Sequence, residues 1–120
     1  MNLIETYLAN KPASYGPIVS LNFTQHEDLT KDDDIVVREL RLILAKGIEL
    51  SGERLGLRFL GIYNLRFEQP ELSLASLGFI ELFETDFGFR AHEEQGLLKF
   101  DFQDLKIKRF GINENLTWPD

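Results

Sequence analysis

Between Arg54 and Phe67 the chain reads RLGLRFLGIYNLRF, and every odd position from Leu55 to Phe67 is apolar apart from Gly61. A period of two puts those side chains on one face of a β-strand. Leu60 and Ile62 interrupt the opposite, polar face, so a second apolar patch also needs a cover. A helix here would carry a stripe of Leu55, Phe59, Ile62 and Tyr63, but Gly56 and Gly61 would each cost about 1 kcal/mol relative to alanine. The run is therefore predicted as strand. Its fourteen residues would extend about 46 Å at roughly 3.3 Å each, so a bulge or bend is expected near Gly61.

The preceding run, IVVRELRLILAKGIEL over 35–50, carries both periods. Val36, Val37, Leu40, Ile43 and Leu44 fit a helix capped by Asp34 and stopped by Gly47. Val36, Leu40, Leu42, Leu44, Ile48 and Leu50 fit a strand. Ser51-Gly52 decides for strand, because two such runs around a two-residue turn signal read as a hairpin. Closing the hairpin there sets Leu44 opposite Phe59, Leu40 opposite Tyr63, Val36 opposite Phe67 and Ile48 opposite Leu55, with Glu49 meeting Arg54. The same register sets Ile43 opposite Leu60 and Arg41 opposite Ile62. It also gathers Arg54, Arg58 and Arg66 on one strand face, with Arg38 and Arg41 on the neighbouring strand. The cover for the second apolar patch is then an N-terminal helix or a loop of this chain, or else a partner or a second protomer, the latter docked through Ile43, Leu60 and Ile62.

Elsewhere, NLIETYLA over 2–9 spaces Leu3, Ile4, Tyr7 and Leu8 as a short helix behind an Asn2 cap. PIVSLNFT, 17–24, reads as a strand, and QHEDLTKDDD, 25–34, as a charged loop. ELSLAS suggests a turn or short helix. LGFIELFET, 77–85, and FGFRA, 87–91, follow as strands, with HEEQG, 92–96, as a loop. LLKFDFQDLKIKRF, 97–110, alternates through Leu98, Phe100 and Phe102, then slips parity to Leu105 and Ile107, which predicts a bulge around Asp104. The tail is irregular, with Trp118 as its anchor to the body. Together these elements predict one domain over 1–120: a mainly antiparallel β sandwich, or a strongly curved sheet, of about six strands with one short N-terminal helix.

Composition narrows the function. The 120 residues include 10 Phe and no cysteine, enough apolar volume for a core without disulfides or thiolate chemistry. Net charge is −7, with −2 in residues 1–60 and −5 in residues 61–120. An acidic chain is a poor match for nucleic acid or an anionic membrane, and suits a basic protein partner. MNLIETYLAN lacks the basic start and apolar run of a signal peptide, and no segment has the ~20 apolar residues of a transmembrane helix. A cytoplasmic protein is expected.

Candidate chemistry is sparse. His26, Glu27 and Asp28, with Asp32, Asp33 and Asp34, lack the alternation and central glycine of an EF-hand. His92, Glu93 and Glu94 lack the second histidine of H-E-x-x-H. No G-x-S-x-G, G-x-G-x-x-G or P-loop occurs. No catalytic, metal or cofactor residue is assigned. The one-signed group Glu81, Glu84, Asp86, Glu93 and Glu94 is the candidate docking patch for a basic partner.

LRFLGIYNLRF and the later GLLKFDFQDLKI resemble elements of small bacterial β proteins, among them toxin-immunity proteins of the immunity protein 50 type. The resemblance covers roughly 35–110. It implies a cytoplasmic, acidic, non-enzymatic binder that neutralises a partner, here a basic toxin. The alternative expectation is a small-molecule or metal-binding β domain, or a hydrolase, with a pocket between sheets that uses His26 or His92. A homodimer is the third.

Overall fold

Asn2 caps the first helix as expected: its side-chain oxygen accepts from the Glu5 N–H at 2.8 Å, satisfying one of the donors that a helix start leaves unpaired. Helix α1 spans Leu3–Ala9, and a single 3-10 turn over Pro12–Ser14 leads into the strands. In the computed structural model, which describes residues 2–28, 35–46, 52–68 and 76–118, the strands are β1 (Ile18–Asp28), β2 (Ile35–Ala45), β3 (Arg54–Leu60), β4 (Tyr63–Phe67), β5 (Ile80–Thr85), β6 (Gly88–Glu93), β7 (Leu98–Phe102) and β8 (Asp104–Phe110). They form two antiparallel four-stranded sheets, ordered β1-β2-β3-β8 and β4-β7-β6-β5, and neither closes on itself.

The fold is mainly β, with eight strands among the described residues rather than six. The two extra strands come from two breaks. The run 54–67 divides at Gly61, which takes φ +69, a region that glycine enters without a Cβ penalty. The run 97–110 divides at Gln103, one residue before the predicted bulge. Both breaks carry the chain from one sheet to the other. The Gln103 N–H donates to the Leu60 carbonyl at 2.9 Å, so the two crossings are tied together, as at the corner of a sandwich whose strands switch sheets.

The 35–46 segment is strand, but its register differs from the expected one by four residues. Leu44 faces Leu55 instead of Phe59, Leu40 faces Phe59, Arg41 faces Arg58 and Ile43 faces Gly56. A four-residue slip keeps the same side chains on the same faces, so alternation alone cannot tell the two registers apart. The observed one is closed by Lys46, whose N–H donates to the Glu53 carbonyl at 3.0 Å and whose ammonium meets Glu53 at 2.8 Å. This register is not the one that a hairpin centred on Ser51-Gly52 would set; residues 47–51, Ile48, Glu49 and Ser51 among them, lie outside the described residues. Arg41 and Arg58 end up opposite each other, and the buried Glu39 carboxylate offsets them by accepting from the Nε of both. Arg66 does not join these arginines, because β4 lies in the other sheet.

The charged run expected as a loop over 25–34 begins as strand. Gln25 to Asp28 continue β1 against Val36 to Arg38 and Ile35, and Gln25 accepts from Arg38 Nε at 3.1 Å. A strand that pairs along its whole length carries its polar end with it. Asp32, Asp33 and Asp34 lie outside the described residues, as does most of ELSLAS.

Between the sheets lie Leu40, Leu42 and Leu44, Leu55, Leu57 and Phe59, Ile80 and Leu82, and Leu98, Phe100 and Phe102, all buried. Phe59 meets Phe100 and Phe102 edge-on at 4.8 and 4.9 Å, the geometry ring quadrupoles favour. Helix α1 caps the gap between the sheets rather than an outer face. Tyr7 is buried and donates to the Ile80 carbonyl at 2.6 Å. Burial holds its phenol well above the ordinary tyrosine range. Asn10 accepts from Arg109 of β8 at 3.0 Å.

The cover for the second apolar patch is the chain's own tail. Arg54 donates to the carbonyls of Gly111 and Glu114 at 2.9 and 2.6 Å, and Lys108 to that of Thr117 at 3.0 Å. Trp118 stands edge-on to Phe110 at 5.7 Å, directly over Gly56. Ile43, paired with Gly56, is buried there; Ile62 is buried in the core and Leu60 is half-buried opposite Glu39. These three residues do not form one open surface.

Candidate functional site

The hairpin of β5 and β6 builds the first half of the site. Ile80 and Leu82 point into the core, so the alternation of a strand turns Glu81 and Phe83 outward. Glu81 lies opposite His92, Phe83 opposite Arg90 and Glu84 opposite Phe89. Asp86 and Phe87 form the tip between Thr85 and Gly88. Phe87 is 84% exposed and Phe83 46%, against the usual burial of large rings. Because β5 ends its sheet, helix α1 runs beside it. Between them lies a groove of about 220 Å³, lined by Ile4, Tyr7, Leu8, Phe79, Glu81 and Phe83, among others. Leu8 is itself 56% exposed. Glu81, Glu84 and Asp86 are exposed and form no ion pair among the described residues.

The acidic group from the sequence does not all reach this surface. Glu93 is fully buried. Its carboxylate accepts from the N–H groups of Gly78, Gln95 and Leu97 at 2.5, 2.8 and 3.1 Å. It holds the β6–β7 turn and the entry to β5 together, so it is a structural anchor rather than a docking residue. Glu94 is exposed, and its carboxylate accepts from the Phe79 N–H at 3.3 Å.

The outer face of the same sheet changes sign towards β4. Across the strands run Glu81, His92, Lys99 and Arg66 in one row, and Phe83, Arg90, Asp101 and Tyr63 in the next. Asp101 is buried at 5% exposure. It accepts from Arg90 Nε at 2.8 Å and Nη2 at 3.4 Å, and from Asn64 Nδ2 at 3.0 Å. Asn64 is turned towards it by a left-handed backbone, φ +54, at an irregularity between Tyr63 and Arg66. The Arg90 hydrogen bond holds the Asp101 carboxyl below the ordinary range against the opposing effect of burial, and the Asn64 bond adds to it. Asn64, Arg66, Arg90, Lys99 and Asp101 line a half-open depression of about 270 Å³. Alternation had placed Leu98, Phe100 and Phe102 on one face, which already implied Lys99 and Asp101 together on the other. The strand order that brings Arg66 and Arg90 beside them carried no such signal.

His92 lies on this outer face rather than between the sheets, and His26 is in β1 opposite Val37. Among the described residues no group of three or more His, Cys, Asp or Glu is arranged to hold a metal ion, and no helix is long and apolar enough to cross a membrane.

These elements define a class of protein: a two-sheet antiparallel β domain whose second sheet presents a charged, partly aromatic outer face. No protein-family model matches the chain, and comparison with curated proteins and with solved structures gives no match.

Proposed function

We propose that this chain is a non-enzymatic binding protein that docks a basic protein partner along the edge formed by β5 and α1. The observation that carries this reading is the coincidence, at one edge, of exposed Leu8, Phe83 and Phe87 with Glu81, Glu84 and Asp86. An apolar groove with an acidic rim fits a hydrophobic anchor side chain flanked by lysine or arginine. The ring supplies contact area, and the carboxylates steer approach and fix register. The net charge of −7 adds long-range attraction for a basic partner. The resemblance of LRFLGIYNLRF and GLLKFDFQDLKI to immunity-type proteins gives the reading its particular form, an inhibitor that neutralises a basic toxin in the cytoplasm.

The test compares the wild-type protein with a Glu81→Lys, Glu84→Lys variant, each immobilised and exposed to source-cell lysate at low and high salt. The proposal expects a basic protein in near-equal amount on the wild type, lost at high salt and absent from the variant. A protein retained equally by both would refute docking at this edge.

A further inference from the structure

The depression on the outer face of the second sheet is cationic in an acidic protein. Three cations, Arg66, Arg90 and Lys99, surround one carboxylate, Asp101. That carboxylate is already occupied by Arg90 and Asn64. Arg66 and Lys99 are register partners directly opposite each other on β4 and β7, and neither has an ion-pair partner among the described residues. Like charges directly opposite across two strands are destabilising. Elsewhere in the molecule the same problem is solved internally, since Glu39 lies between Arg41 and Arg58. Here, among the described residues, no carboxylate lies within ion-pair distance of either, and Asp101 acts on Lys99 only from farther off. Asp101 instead fixes Arg90 from beneath and leaves part of its guanidinium fork unused, because only Nε and Nη2 bond to it.

We infer that this depression is a binding site for a compact dianion of the phosphate-monoester class, held by Arg66, Lys99 and Arg90. Two uncompensated cations match two negative charges. Arginine forks and a lysine ammonium are the groups that recognise phosphate oxygens. A volume of about 270 Å³ holds a phosphate head and part of its substituent, near the low end of ligand pockets. An extended polyanion is a poor fit, because the row of the sheet face that holds Arg66 and Lys99 ends in Glu81 on β5. The site is separate from the β5 edge and does not rest on the reading given to that edge.

The probes are inorganic phosphate, phenyl phosphate and the singly charged diester dimethyl phosphate, titrated into isotopically labelled protein and followed by amide NMR. Sodium chloride at matched ionic strength is the control. Saturable shifts are expected at Arg66, Arg90 and Lys99 with phosphate and phenyl phosphate, and weaker binding with the diester. Tighter binding of phenyl phosphate than of inorganic phosphate would identify an organic monoester as the source, and the reverse order free phosphate. Lys99→Gln and Arg66→Ala should each weaken binding by about tenfold or more, since each removes a charge-assisted contact. Lys99→Gln should leave the melting temperature of the free protein unchanged or raise it. Shifts reproduced by sodium chloride, or binding unaffected in both variants, would overturn the inference. Tighter binding of a short single-stranded DNA than of phenyl phosphate would overturn the choice of ligand.

Discussion

Replacing Gly56 by alanine tests whether the tail is a built part of the fold. A Cβ at position 56 would stand 2.6 Å from one Trp118 ring atom and 2.7 Å from another and from a Phe110 ring atom, closer than atoms in contact approach. Phe110 is almost fully buried, so Trp118 and the tail are the parts free to yield. Overpacking of this kind costs about 1–3 kcal/mol. At about 4 °C per kcal/mol for a domain of this size, the melting temperature should fall by about 4–12 °C. Trp118 is the single tryptophan, so its fluorescence reports this contact alone, and its emission should move to longer wavelength as the ring meets water. Trp118→Ala removes two of these three close contacts and leaves the one to Phe110. The double variant should therefore cost less than the sum of the two single ones, as expected for side chains in contact. Unchanged emission and melting temperature in Gly56→Ala, or strictly additive costs, would refute this placement of the tail.

Two further substitutions read the second sheet. Glu93→Ala takes a buried acceptor from three backbone N–H groups and should destabilise by about 3–5 kcal/mol in urea unfolding. Glu93→Gln, which retains one acceptor oxygen, should cost less; equal stability of Glu93→Ala and wild type would contradict the anchor role. For Asp101 the folded carboxyl is held below its ordinary value, chiefly by Arg90. Its contribution is therefore fully present above the unfolded carboxylate range, near pH 4, and is lost as pH falls through the lower folded value. The stability gap between wild type and Asp101→Asn should be constant near neutrality and shrink in acid; a gap that widens in acid would reverse the sign.

Much of the architecture was legible from local pattern. The Asn2 cap, the choice of strand for 35–46, the break near Gly61 and the slip of parity after Phe102 all depend on neighbours within a few residues. Trp118 as an anchor was legible because it is the one tryptophan, set in an irregular tail, whereas the hydrogen bonds from Arg54 and Lys108 to tail carbonyls carried no such signal. Features set by long-range pairing were not. The register of β2 on β3 could slide by four residues without moving a single apolar side chain to the wrong face. The predicted bends near Gly61 and around Asp104 gave no sign that the chain changes sheets there. Glu93 looked like its acidic neighbours because its partners are backbone groups of Gly78, Gln95 and Leu97, which no charge pattern records. The cationic depression joins residues 66, 90 and 99, brought together only by the order β4-β7-β6.

The most direct test of the docking edge is site-specific photo-crosslinking in the source cells. A benzophenone side chain replaces Phe83 or Phe87 at the β5 edge, or Ile112, which is 71% exposed in the tail over the first sheet. Docking at β5 predicts an adduct with one basic protein from positions 83 and 87 and none from 112. An adduct from position 112 alone, or no adduct from positions 83 and 87, would contradict it.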